Sequence, residues 1–205
     1  MEKSLNLEEL SSTYFDVLKE LGNIGAGNAM TALASMLQCK VDMQVPRVSL
    51  LEFKEVGEFI GGEEQTMIGV YLAVEGDISG SMMFLLRKDA AAIMLKKLMG
   101  MEASPDAFTD MEISALKEIG NIITGAYLNA LSSLTGMAIV PTVPDLTIDM
   151  AGAILSVPAI EFGTMGDNIL FIESRFSGEE AMEGFFIMVP HLESYEKILQ
   201  SLGIV

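Results

Sequence analysis

Two pairs of side chains in this 205-residue sequence share both type and spacing. Glu20 and Asn23 stand three positions apart, and so do Glu118 and Asn121, 98 residues further on. Each pair has the same neighbours: Asp16 or Ser114 four residues before the glutamate, and Pro46 or Pro144 23 residues after the asparagine. A carboxylate and a carboxamide are neither a covalent nucleophile with its base nor, alone, a metal-binding set. They can pair with a lysine and hold a water through the amide. That is enough for phosphoryl transfer, where positioning and electrostatics supply nearly all the catalysis. A second protein would then have to bring the electrophile and its metal.

The elements that carry these pairs can be read from the same spacing. Asp16, Glu20, Asn23 and Gly27 lie at offsets of 0, 4, 7 and 11, one stripe of an α-helix, and Ser114, Glu118, Asn121 and Gly125 repeat it. Leu18, Leu21, Ala32 and Met36 fall opposite, on the expected core face. The wider stretches 16–46 and 114–144 are two copies of one unit. Apolar positions drift between the copies, as in Leu21/Ile119 and Met36/Leu134, while Glu and Asn do not. Packing tolerates swaps of similar volume, whereas a site does not. Glycine in a helix costs about 1 kcal/mol against alanine, and one reason for glycines at 22, 25, 27, 120 and 125 is to let another backbone approach closely. A second reading makes Asn23 and Asn121 helix caps, the glycines breaks, and the glutamates merely solvated.

Composition narrows the partners. Half of the residues are hydrophobic, so the chain folds, and a net charge of -17 opposes nucleic acid and anionic lipid alike. One cysteine, Cys39, cannot form an internal disulfide; among apolar neighbours it reads as a buried thiol in a reducing cytoplasm. The first 20 residues carry acids and lack an apolar run, so no secretory leader is expected. Residues 21–39 and 119–144 are uncharged, but their Asn, Ser, Thr and Gly content fits buried helices better than membrane spans. A single histidine, His191, reads as a surface or capping residue, and without a Cys/His cluster no metal site is expected. The glycines at 22, 25 and 27 do not make a GxGxxG loop.

Along the chain, the pattern predicts a helix from about Leu10 to Leu37, a β stretch from Val41 to Phe53 interrupted at Pro46, and a hairpin from MIGVYLAV and GSMMFLL. Asp89 is the expected cap of a helix that ends at Gly100. Thr109 or Asp110 caps the second repeated helix; NILFIESRF and GFFIMVP match the earlier hairpin, and HLESYEKILQSLG matches its helix. The stretch VPDLTIDMAGAILSVPAI has no firm assignment, although Asp149 is placed to start a helical turn. Each half reads helix, strand, strand, strand, helix. The expected fold is α+β: a single domain with a pseudo-twofold repeat, halves at about 10–104 and 105–205, and a mixed sheet flanked by two long helices.

The arrangement met by Asp16-Glu20-Asn23-Pro46 and Ser114-Glu118-Asn121-Pro144 resembles the signature of the CheC/CheX/FliY family of CheY-phosphate phosphatases. Two intact motifs in about 200 residues are most like the CheC branch. The resemblance implies hydrolysis of the phospho-aspartate of the chemotaxis response regulator CheY. It casts Asn23 and Asn121 as the residues that orient the water, and Glu20 and Glu118 as partners of the regulator's active-site lysine. It implies Mg²⁺ on CheY rather than a cofactor held by this chain, and the deamidase CheD as a further partner. IDMAGAIL resembles the region used for that contact, which makes Asp149 a candidate. The competing expectation is a non-catalytic adaptor that binds phospho-CheY or CheD.

Overall fold

The computed structural model describes residues 12–44, 47–52, 55, 62–162, 168–178 and 182–204. In chain order its elements are α1 (Ser12–Leu37), β1 (Val41–Met43), β2 (Arg47–Glu52), β3 (Thr66–Gly76), β4 (Gly80–Arg87), α2 (Lys88–Met99) and α3 (Asp110–Thr135). There follow β5 (Ile139–Pro141), β6 (Asp145–Met150), α4 (Ala151–Phe162), β7 (Asn168–Gly178), β8 (Glu183–Pro190) and α5 (Leu192–Ser201). The repeat is exact in its first three elements: α3, β5 and β6 begin and end 98 positions after α1, β1 and β2.

Local chemistry sets the helix ends. Thr109 Oγ1 accepts the Glu112 N–H at 3.3 Å, and Glu112 Oε2 accepts the Thr109 N–H at 2.7 Å, a reciprocal cap at the start of α3. Gly136, at φ 71°, closes the other end through its N–H to the Ser132 carbonyl. Gly100 ends α2 in the same way. The start of α2 differs from expectation: Arg87 occupies the cap position without a side-chain hydrogen bond, and Asp89 lies inside the first turn. There its charge still favours the helix dipole.

The strand order is β1-β7-β8-β4-β3-β5, with β2 also on β7 and β6 also on β3. The expected mixed sheet is instead antiparallel in every described pairing. Only three residues, Asp77–Ser79, join β3 to β4, and so short a link permits only antiparallel neighbours. The strands that follow each repeated helix cross to the other half. β1 and β2 pair with β7, β5 and β6 pair with β3, and β4 meets β8 in the middle, Phe84 opposite Phe186. Each half therefore supplies four strands rather than three, and α4 comes as an extra helix in the unassigned stretch.

Both sheet faces are covered. Ile68, Val70, Leu72, Phe84, Leu86, Phe186 and Met188 pack under α1, α2, α3 and α5. Met67, Met83, Leu85, Ile187 and Val189 pack under Ala151, Ile154 and Leu155 of α4. That is why β4 reads as a continuous apolar run rather than an alternating one. Phe84 forms the centre, stacked on Phe176 at 5.5 Å, and Tyr127 of α3 reaches Phe186 at 5.1 Å. α1 lies against α3 here because Gly25 has no side chain: a Cβ would stand 2.8 Å from the Tyr127 ring. Gly120 likewise admits Val70, 2.6 Å from where its Cβ would be.

The buried stripe of α1 runs through Leu18, Leu21, Ala26, Ala29, Leu33 and Leu37. Ala32 and Met36 lie at its flank, half-buried, and Leu134 is 42% exposed, so Met36/Leu134 is not a core pair. Cys39 is half-buried rather than buried, because it sits in the turn after α1 at the margin of the core.

Tyr127 and Tyr195 are enclosed on this side of the sheet, and burial pushes both phenols above their ordinary value of 10.0. The folded state thus favours the protonated form. Its stability is intact below pH 10 and declines above it, as the unfolded chain ionises first. Urea midpoints measured from pH 8 to 11.5 are expected to hold steady to about 9.5 and then fall. A midpoint that stays level to 11.5 would contradict the placement of these hydroxyls.

Candidate functional site

The two stripes emerge on continuous helices. α1 runs unbroken through Asn23 and α3 through Asn121, so neither asparagine is a cap and none of these glycines is a break. Exposure matches position by position: Asp16, Glu20, Ser114 and Glu118 are exposed, and Asn23, Gly27, Asn121 and Gly125 are half-buried. The repeat in sequence is a repeat in environment.

Neighbouring polar groups are spent within their own helices. Asn28 Nδ2 donates to the Ile24 carbonyl at 2.8 Å, Thr31 Oγ1 to Gly27 at 2.8 Å, and Ser133 Oγ to Asn129 at 2.8 Å. Ser114 belongs with them, donating its hydroxyl to the Asp110 carbonyl at 2.8 Å. The carboxylate of Asp16, in the equivalent place, cannot donate. By contrast, among the described residues the side chains of Glu20, Asn23, Glu118 and Asn121 have no hydrogen-bond or ion-pair partner. Each asparagine therefore offers one carbonyl acceptor and two N–H donors outward. One turn beyond, a Cβ on Gly27 or Gly125 would meet nothing within 4 Å. Each amide thus stands beside open space, with a carboxylate one turn before it.

The other anticipated residues are dispersed. Pro144 is half-buried in the link between β5 and β6; Pro46 lies outside the described residues. His191 occupies the cap position of α5 without a side-chain hydrogen bond to the helix, its Nδ1 3.2 Å from Ser79 Oγ. Among the described residues, no three His, Cys, Asp or Glu side chains converge into a metal-holding group, and no helix is long and apolar enough to cross a membrane.

A match to the CheC-like family model covers residues 16–50 and 111–148, one segment for each copy of the helix and the strands after it. The chain is also 36% identical over 197 residues to the CheY-P phosphatase CheC of Bacillus subtilis, covering 92% of this chain and 93% of that one. The chain belongs to the CheC-like family. Family membership covers both halves, as the doubled stripe requires. Among solved structures, FliY of Thermotoga maritima superposes with a TM-score of 0.74 at 22% identity, over 95% of this chain and 98% of that one. A CheC-like superfamily protein from Shewanella does so at 0.60 and 12%, over 84% and 97%. These two likenesses show the shared fold.

A second feature of this family member lies on the opposite face of the sheet. A cavity of about 290 Å³ opens between β6, β3 and α4, with Met83, Ile154 and Val157 as apolar lining and Asp145, Thr147 and Asp149 from β6. Asp149 is the last residue but one of β6 rather than the start of a helical turn, its Oδ1 accepting the Met150 N–H at 2.7 Å; α4 begins two residues later. Sequence reading picked out Asp149 alone. The alternation D-x-T-x-D over 145–149 is the signal that would have added Asp145 and Thr147.

Proposed function

We propose that this chain is a single CheC-like domain of two homologous halves, about 10–104 and 105–205, that hydrolyses the phospho-aspartate of the response regulator CheY. The observation that carries it is the doubled Glu-Asn pair, equally exposed in both copies and without partners among the described residues. Docking would insert one stripe into the regulator. The Asn23 or Asn121 amide holds a water in line with the phosphoryl group, and Glu20 or Glu118 pairs with the regulator's active-site lysine. The water oxygen bonds to phosphorus as the aspartyl oxygen leaves, giving phosphate and the free carboxylate. The Mg²⁺ expected on CheY would offset charge on the phosphoryl oxygens; Asp16, Ser114, Pro46 and Pro144 support the motif. Preorganisation of this kind is a recognised source of large rate effects.

The reading is supported by the CheC-like family and by the relative's name. It places the protein in the cytoplasm, where its substrate is. The test is phosphate release from phosphorylated CheY in Mg²⁺, followed with and without the protein in catalytic amount. Acceleration supports the phosphatase; binding without acceleration favours the phospho-CheY adaptor.

CheD is the second proposed partner, seated at the β6–α4 cavity with Asp149 as a contact. An apolar lining bordered by two carboxylates fits a partner segment that carries a basic side chain. Asp149→Arg is expected to weaken CheD binding tenfold or more, since like charges across an interface repel. Isothermal titration with the folded variant checks this, and an unchanged affinity would remove Asp149 from the contact.

A further inference from the structure

The amides are matched between the halves, but the charges beside them are not. On α3, the Lys117 ammonium precedes Glu118 by one residue and lies 3.6 Å from the Asp145 carboxylate on β6, the edge strand beside that helix. The same Asp145 oxygen accepts the Leu146 N–H at 3.0 Å, which orients it. The position 98 residues earlier is Arg47, exposed on β2, which packs beside α1. There Lys19 precedes Glu20. Among the described residues neither Lys19 nor Arg47 forms an ion pair. The first stripe thus has Lys19 beside Glu20 and Arg47 at the position equivalent to Asp145, neither ion-paired among the described residues, while Lys117 of the second is already paired with an acid.

Resting on the phosphatase reading, we propose that residues 47 and 145 determine how strongly each site draws its phosphorylated substrate, Arg47 favouring capture at the first site and Asp145 restraining it at the second. What negative charge the Mg²⁺ on CheY leaves on the phosphoryl group is repelled at long range by a chain of net charge -17. Cations within about 10 Å, the Debye length at 0.1 M salt, offset that repulsion locally. Such steering acts on encounter, so it enters KM and the salt dependence and leaves the chemical step alone.

The test uses full-length single-site proteins: Asn121→Ala keeps the first site, Asn23→Ala the second. Between 50 and 300 mM salt, kcat/KM for phosphate release from phosphorylated CheY is expected to fall about fivefold for the first site and less than about twofold for the second. Asp145→Arg in the second-site protein should raise kcat/KM about threefold at low salt and steepen its salt dependence. Arg47→Asp in the first-site protein should do the reverse, both through KM at constant kcat. Equal salt slopes, inert swaps, or effects confined to kcat would overturn the inference while leaving the phosphatase standing. Absence of release from the intact protein and from both single-site proteins would remove the phosphatase reading and this inference together.

Discussion

A chain carrying both Asn23→Ala and Asn121→Ala is expected to lose at least ~100-fold in catalysed phosphate release, by analogy with removal of a single preorganised donor elsewhere. The argument rests on what the amides do not do. Neither has a partner among the described residues, and both are only half-buried, so their loss opens no cavity and strands no buried group. Stability should change by less than about 0.5 kcal/mol, with alanine a better helix former than asparagine. A large fall in kcat with a negligible structural effect is the signature of a group that acts on the reacting water. Each single variant keeps the other site and ranks the two. If the double variant kept the parental kcat, the asparagines would be docking residues at most.

The largest expected stability effect belongs to Phe84→Ala, at about 3–5 kcal/mol. Phe84 is fully buried where β4 meets β8, stacked on Phe176 at 5.5 Å and 6.4 Å from Phe186. Phe186 in turn supports Tyr127, whose ring fills the space that Gly25 leaves between α1 and α3. Removing one ring leaves a void that close-packed neighbours can only partly fill. Since whole domains are stable by about 5–15 kcal/mol, a substantial share would be lost. Urea unfolding checks it: the midpoint should drop by about 1 M or more at unchanged slope. A change below about 1 kcal/mol would mean that the sheet centre is not packed as described.

The parts of the molecule legible in advance were those governed by local periodicity. The offsets 0, 4, 7 and 11 placed both stripes on helices, and the observed helices end at Leu37 and Thr135, 98 residues apart. The hairpins, the Gly100 stop and the Thr109 cap follow from equally local chemistry. Pairing between the halves did not, because β2 reaches β7 more than a hundred residues away and nothing local selects that partner over β3. Asp145–Met150 was overlooked for another reason. Its sequence alternates polar and apolar residues as a strand does, but it runs without a turn into the apolar stretch of α4. The helix after it runs through Pro158, which by sequence reads as a break. Leu134 misled because the helical stripe drifts off the core near the end of α3. Of the candidate site, the Glu and Asn residues were legible because they repeat. Lys117 repeats Lys19 and was open to the same reading; Asp145 was not, because residues 47 and 145 differ in charge and so break the repeat.

The measurement that tests the central claim most directly is a count of phosphate released per chain. With phosphorylated CheY and Mg²⁺ in hundredfold excess over the protein, a phosphatase with two working asparagines turns over repeatedly. Release should run far past two phosphates per chain, at a rate proportional to protein concentration and above that of CheY alone. If instead the protein binds phosphorylated CheY and release stays at the rate of CheY alone, the Glu-Asn stripes are a binding surface and the catalytic account is wrong.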